Sequence, residues 1–350
     1  MLKIASGINN NFRIQAPASN PIVKNKAISF GGNYELKSIG EDTFVSTAVP
    51  AAKSFVDSLD DKEKKLLAQN IARAGYSAFN DKNYKLCIAN LSKSLEIYPQ
   101  NARAYHAKAS AEREEGMYEE AIEDYKKALE LSPDSINSLN LLALTKTKYA
   151  KELEGTDRPA AAMLRQEALE DYDSAINVLE TSQAQDKTKK IADIHSKKAD
   201  LLMNMREYEK AMQELDSVID LSTSELDYEP SISGIKKLET KIGSAHHKKG
   251  VCLRKLAQSP YSSLNEKARD EFSEAIKYVP TSANSYYERA KINMRNSSED
   301  AIDDIKKAID LAPERPAYWE FLGNIMSMSD DETDRQFGVE CLARAIALRN

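Results

Sequence analysis

Four histidines and three cysteines are the first residues of this 350-residue chain to test for metal or nucleophilic chemistry, and their spacing supports neither. His106, His195, His246 and His247 form no HExxH pair and no Cys/His set of the kind that holds zinc. Cys87, Cys252 and Cys341 lie far apart, without a CxxC, inside apolar helical periodicity. That placement predicts buried free thiols and a reducing, cytoplasmic compartment. No GxxxxGK[ST] phosphate loop, GxGxxG turn or GxSxG elbow occurs. The expectation is a protein without catalytic residues, cofactor or metal. The chemistry that remains is recognition: Arg and Lys for anionic groups, aromatic rings as flat anchors, and Asn, which hydrogen-bonds a peptide backbone in either sense.

Composition narrows the partners. The chain is 30% charged and 41% hydrophobic, with a formal net charge of −6. This predicts a soluble protein with a distributed core and gives no electrostatic footprint for nucleic acid. No run approaches the roughly 18 apolar residues a membrane span requires. Residues 1–20 lack the continuous apolar core of a secretory signal. Residues 1–55 are rich in Asn, Ser, Gly and Pro, without helical period, and read as a disordered leader. Such a leader is either a linear docking or export segment or a plain tail, and composition leaves both open.

From Asp60 a 3.6-residue period continues to Asn350. A frame of small, large, small and Pro recurs within it. It reads Cys87, Leu91, Ser94, Pro99; then Ala121, Tyr125, Ala128, Pro133; then Ala268, Phe272, Ala275, Pro280; then Ala301, Ile305, Ala308, Pro313. Pro99 to Pro133 is 34 residues and Pro280 to Pro313 is 33. That period marks a helical-hairpin repeat. Seven hairpins are expected, each a helix A followed by a helix B. One small residue per helix A (Gly75, Ala109, Ala143, Ala199, Gly250, Ala290, Gly323) is expected to admit its own helix B closely. The large residue between the two small helix-B residues is expected to fill the interface to the next hairpin. His195 and His246 stand where Tyr105 and Trp319 stand in other hairpins, which predicts a packing role. Acids followed by Lys at i+3 or i+4, as in Glu119, Glu123 and Lys127, predict solvated faces.

Trp319-x2-Leu322-Gly323 and Ala268-x3-Phe272-x2-Ala275-x4-Pro280 match the two halves of one family consensus, and the chain from about 60 to 350 resembles a tetratricopeptide repeat protein. The resemblance implies an all-α, right-handed superhelical solenoid of about seven hairpins, with helices A lining a concave groove. It also implies a non-enzymatic scaffold or adaptor that holds a peptide or helix of a protein partner there. A structural subunit or assembly factor of a larger complex, such as secretion or envelope machinery, is the alternative. Some family members clamp a peptide carboxylate with a Lys-Asn-Asn-Lys-Arg set, and no three consecutive hairpins reproduce it here. Two softer patches fall on the implied groove. Arg103, His106 and Arg113 with Asn137 and Asn140 form one. His247, Arg254, Tyr287, Lys291 and Arg295 form the other. Ala345-Ile346-Ala347-Leu348 leaves an exposed edge that could pack on a partner or, by self-association, on another copy.

The repeat is not uniform. From the small helix-A residue to the small helix-B residue is twelve in hairpin two (109 to 121), but 25 in hairpin three (143 to 168) and 18 in hairpin five (250 to 268). Hairpins three to five therefore carry longer helices or longer loops. Candidate loops are Lys151 to Ala160, Asp220 to Ser233 and Gln258 to Ser263. A specialised central surface and a tolerated insertion both fit that pattern.

Overall fold

A computed structural model describes residues 54, 56–295 and 297–349; the expected leader, residues 1–55, lies almost entirely outside them. From Asp61 onward, fourteen α-helices pair as seven hairpins, and no strand occurs among the described residues. Hairpins one and two are α1 (Asp61–Asn80) with α2 (Tyr84–Ile97) and α3 (Ala102–Glu114) with α4 (Tyr118–Leu131). They belong to a compact unit ending at Pro133. A second unit begins at Asp134. It holds α5 (Ile136–Glu152) with α6 (Arg158–Thr181), α7 (Lys187–Asn204) with α8 (Tyr208–Leu226), and α9 (Ile232–Leu256) with α10 (Ser263–Tyr278). It continues with α11 (Ala283–Asn293) and α12 (Ser298–Leu311), then α13 (Pro316–Met326) and α14 (Glu332–Ala347).

Local rules start and stop these helices. Asp60 and Glu63 form a capping box: the Glu63 amide donates to Asp60 Oδ1 at 2.8 Å and the Asp60 amide to Glu63 Oε2 at 3.1 Å. Asn83, Asn101, Asp157 and Ser297 cap later helices in the same sense. Hairpins one, two and four turn from helix A to helix B through a single left-handed residue. It is Lys82 (φ 57°), Gly116 (φ 80°) and Arg206 (φ 63°). In each the following amide donates back to the carbonyl five residues earlier, Asn83 to Ala78, Met117 to Glu112 and Glu207 to Leu202. This satisfies a carbonyl at the helix end.

The insertions of hairpins three to five are mostly helix. α6, α8 and α9 run to 24, 19 and 25 residues, against 14 for α2 and α4. Two of the expected loops shrink accordingly. Lys151 is still in α5 and Arg158 already opens α6, with a 3-10 turn at Leu153–Gly155 between them. α8 continues through Leu226 and α9 opens at Ile232. Pro159 did not break the pattern because Pro is tolerated in a first helical turn. Only the loop of residues 257–262 lies where expected.

The small residues do admit close approach. A Cβ on Gly75 would lie 2.7 Å from Leu91 Cγ, and one on Gly250 2.7 Å from the Phe272 ring. Ala109, Ala121, Ala199, Ala211, Ala290 and Ala301 are fully buried. The large helix-B residue, however, meets its own helix A first: Leu91 covers Gly75, Phe272 covers Gly250, and the Tyr125 hydroxyl lies 2.9 Å from Ser110 Oγ. Phe272 also reaches the next hairpin through Ile292.

Charge is built into the hairpins as well. A carboxylate stands three residues after the small helix-B residue in hairpins two to six: Asp124, Asp171, Glu214, Glu271 and Asp304. Each receives a cation from its own helix A: Lys108, Lys146, Lys198, Lys249 and Arg289. Lys198 also reaches Asp173 at 2.5 Å and Lys249 reaches Asp216 at 2.7 Å, both on the preceding helix B, so one ammonium ties three helices. Arg289 grips Asp304 with two nitrogens, at 2.6 and 2.9 Å, and Ser273 of the preceding hairpin at 3.1 Å. His195 and His246 join the same carboxylates, Glu214 at 2.5 Å and Glu271 at 2.7 Å. Polar bonds thus add to packing, and His246 also stacks on Tyr278 at a ring distance of 6.0 Å. Burial raises Glu214 and Glu271, but hydrogen bonds from the His and Lys partners outweigh it and hold both below the usual carboxylate range.

Candidate functional site: the helix-A face

Helices A of the second unit are joined to one another by polar bridges. The Lys197 ammonium donates to Asn140 Oδ1 at 2.9 Å, linking α5 and α7. Lys241 meets Asp193 and Lys248 meets Asp200, each at 2.6 Å, linking α7 and α9. His247 Nδ1 lies 2.9 Å from Ser285 Oγ, and Arg254 pairs with Glu288, linking α9 and α11. The Tyr318 hydroxyl donates to Asn284 Oδ1 at 2.6 Å, linking α11 and α13. Lys197, Lys241, Lys248 and Glu288 were missed by the sequence reading. Lys241, Lys248 and Arg254 are thus answered by carboxylates, whereas Lys197 meets the neutral Asn140.

The balance fails between hairpins five and six. Arg254, Lys291 and Arg295 line one open depression of about 240 Å³, walled by the residue 257–262 loop and by Ile292. Glu288 is shared: it pairs with Arg254 and with Lys291 at 2.6 Å. The Lys291 ammonium sits 4.4 Å above the Tyr287 ring, and Tyr287 packs on Tyr318 and Phe321 at ring distances of 4.9 and 5.7 Å. Burial, then Arg254 and Lys255, push the Lys291 ammonium down to about 8. The loop wall is held in place, since Asn265 Nδ2 donates to the carbonyls of Ser259 at 3.1 Å and Pro260 at 2.9 Å.

Four members of the predicted second patch, Arg254, Tyr287, Lys291 and Arg295, therefore sit together. His247 is tied to Ser285 and lies against Phe272, with its imidazole lowered by burial and Lys248. The first predicted patch divides between the two compact units. In the first unit the Arg103 guanidinium lies 4.8 Å over the Tyr76 ring, His106 meets Tyr125 edge-on at 5.6 Å, and Arg113 pairs with Glu114 at 2.5 Å. In the second, Asn137 is exposed and Asn140 is engaged by Lys197.

The sequence signature of the TPR repeat matches residues 109–148, from the small residue of α3 into α5. The chain is a tetratricopeptide repeat protein. It is 28% identical over 141 residues to small glutamine-rich tetratricopeptide repeat-containing protein 2 of Saccharomyces cerevisiae, covering 37% of this chain and 39% of that protein. It is 24% identical over 241 residues to Hsp70-Hsp90 organizing protein 1 of Glycine max, covering 69% and 35%. Over 99 residues it is 36% identical to sperm-associated antigen 1 of Rattus norvegicus, covering 28% and 11%. The chain spans well under half the length of these relatives. Among solved structures, the C-terminal part of a TPR repeat-containing protein from Cytophaga hutchinsonii aligns with a TM-score of 0.50 at 16% identity, covering 79% of this chain and 99% of that one. BtubC from P. vanneervenii aligns with the same score at 15% identity, covering 68% and 90%. At these identities the likeness is one of fold. None of its described helices is long and apolar enough to cross a membrane.

Proposed function

We propose that this tetratricopeptide repeat protein is a non-enzymatic adaptor that holds an acidic peptide or helix segment of a partner on the helix-A face of hairpins five and six. The observation behind this reading is the shortage of acid there: three cations line one depression, and one carboxylate, Glu288, pairs with two of them, Arg254 and Lys291. Elsewhere on the face, Asp193 and Asp200 already answer Lys241 and Lys248. Charge-assisted hydrogen bonds contribute about 1.5–3 kcal/mol each when water is excluded, and far less on an open surface. The half-buried Arg254 and Lys291 fit the stronger case. The Tyr287 ring supplies a flat apolar neighbour.

The test compares acidic and charge-swapped fluorescent peptides by anisotropy on the full chain. Acidic peptides bind, and changing Arg254 and Lys291 together to Glu weakens them at least roughly tenfold with helicity retained. Equal binding of acidic and basic peptides, or an unaffected double variant, refutes the reading. A cytoplasmic location suits the three buried free thiols, which persist in a reducing compartment.

A second reading, a subunit of a larger assembly, rests on a different observation. Val339 and Ile346 on α14 are 56% and 60% exposed. Their counterparts in hairpin six, Ile302 and Ile309, pack into the cluster that contains Tyr318 and Leu322 of the following helix A. We assign this apolar edge to self-association with a second copy.

A further inference from the structure

We propose that the depression lined by Arg254, Lys291 and Arg295 is a socket for the phosphate of a phosphorylated peptide side chain, an inference that rests on the peptide-binding reading above. Size comes first. At about 240 Å³ the depression is smaller than the roughly 300–1,000 Å³ of small-molecule pockets. It suits one anionic side-chain group rather than a whole ligand.

Charge then selects among anions. Arg254, Lys291 and Arg295 bring three positive charges, and Glu288 removes one, leaving two. A carboxylate would leave one charge unanswered, whereas a phosphate monoester, close to a dianion above its second pKa of about 6, answers both. Two of the three cations are arginines, whose planar forks match phosphate oxygens in pairs. The Lys291 ammonium is lowered first by burial and then by Arg254 and Lys255, and a doubly charged anion beside it opposes both effects.

The site is also held in shape before anything binds. Lys291 rests on Tyr287, which is fixed against Tyr318 and Phe321. Asn265 clamps the facing loop through two carbonyls. Glu288 pairs with both Arg254 and Lys291, so a phosphate finds two of its donors already held together.

The experiment titrates the full chain with N-acetyl-O-phosphoserine methylamide and, separately, with the glutamate analogue blocked in the same way. It uses calorimetry or NMR at constant ionic strength, at about pH 7.5, where the phosphate is mostly dianionic. The phosphoserine probe is expected to bind at least about tenfold more tightly. Arg295→Gln and Lys291→Gln each bring the two probes to parity, with circular dichroism unchanged. Parity in the unmodified protein, no binding of the phosphoserine probe, or a preference that survives both substitutions overturns the socket. Parity of the probes alongside binding of acidic peptides removes the phosphate and leaves the groove. Retained phosphoserine preference without any peptide binding does the reverse.

Discussion

Glu112 shows how one residue's surroundings set its charge. It is 1% exposed, and Lys108 serves both it, at 2.6 Å, and Asp124. Its Oε2 is buried without a hydrogen-bond partner among the described residues. Burial, with Asp124 nearby, pushes the Glu112 carboxyl up to about 7 against the pull of Lys108. A carboxyl raised on folding binds its proton more tightly in the folded state. It therefore contributes stability that is complete below about 4.5 and is lost as pH rises through about 7. Hydrogen exchange, corrected for intrinsic rates, should show α3 and α4 losing protection across that window, by on the order of 1–3 kcal/mol. Glu112→Gln should flatten the dependence; a pH-independent wild type would show that Glu112 stays charged. At this scale much was legible. The small residues and the buried thiols are where the sequence put them, because local volume alone dictates them. The inward carboxylates of hairpins two to six were not singled out in the sequence, although a signal existed: an acid at a fixed offset in five consecutive hairpins, opposite a cation.

Helices and their turns obey rules that a sequence states only partly. The Pro after helix B was readable in hairpins one, two, five and six. The left-handed turn residue was readable at Gly116 and not at Lys82 or Arg206, because nothing in a Lys or Arg announces a positive φ. These two side chains pay a steric cost that Gly does not. Lys82→Gly and Arg206→Gly should each stabilise the local hairpin by about 0.5–1 kcal/mol, the gain being reduced by the greater freedom of an unfolded Gly. Hydrogen exchange at the flanking helices reads the effect locally, which matters because a repeat array need not unfold in one step. A loss of protection in either variant would show that the Lys or Arg side chain makes a contact worth more than the turn strain. Hairpins three to five absorb their extra residues as helix because their periodicity continues through them. Gly155 and Glu229-Pro230 interrupt it only briefly.

In the second compact unit the two proposed surfaces lie on different helices. The depression lined by Arg254, Lys291 and Arg295 lies between helices A of hairpins five and six, and the apolar edge lies on α14. Val339→Glu with Ile346→Glu should abolish concentration-dependent association in sedimentation experiments. It should cost little stability, since both side chains are mostly exposed, and leave acidic-peptide binding intact. A protein that is monomeric at all concentrations before substitution would remove the self-association reading. A double variant that still associates would move the contact elsewhere.

The sequence by itself determined the hairpin register and the identity of the fold, because both depend on residues close in the chain: small residues one helical face apart, and a Pro where a helix must stop. It also supplied the cations of the candidate site. Only the tertiary structure decided which acid answers which cation. Asp193 and Lys241 are 48 residues apart, Asn140 and Lys197 are 57, and Arg254 and Glu288 are 34. No single spacing predicts these bridges, because the stagger between neighbouring helices A follows from how the unequal helices of hairpins three to six pack. Glu288 was invisible as the shared partner for that reason, and so was the charge imbalance it leaves around Lys291.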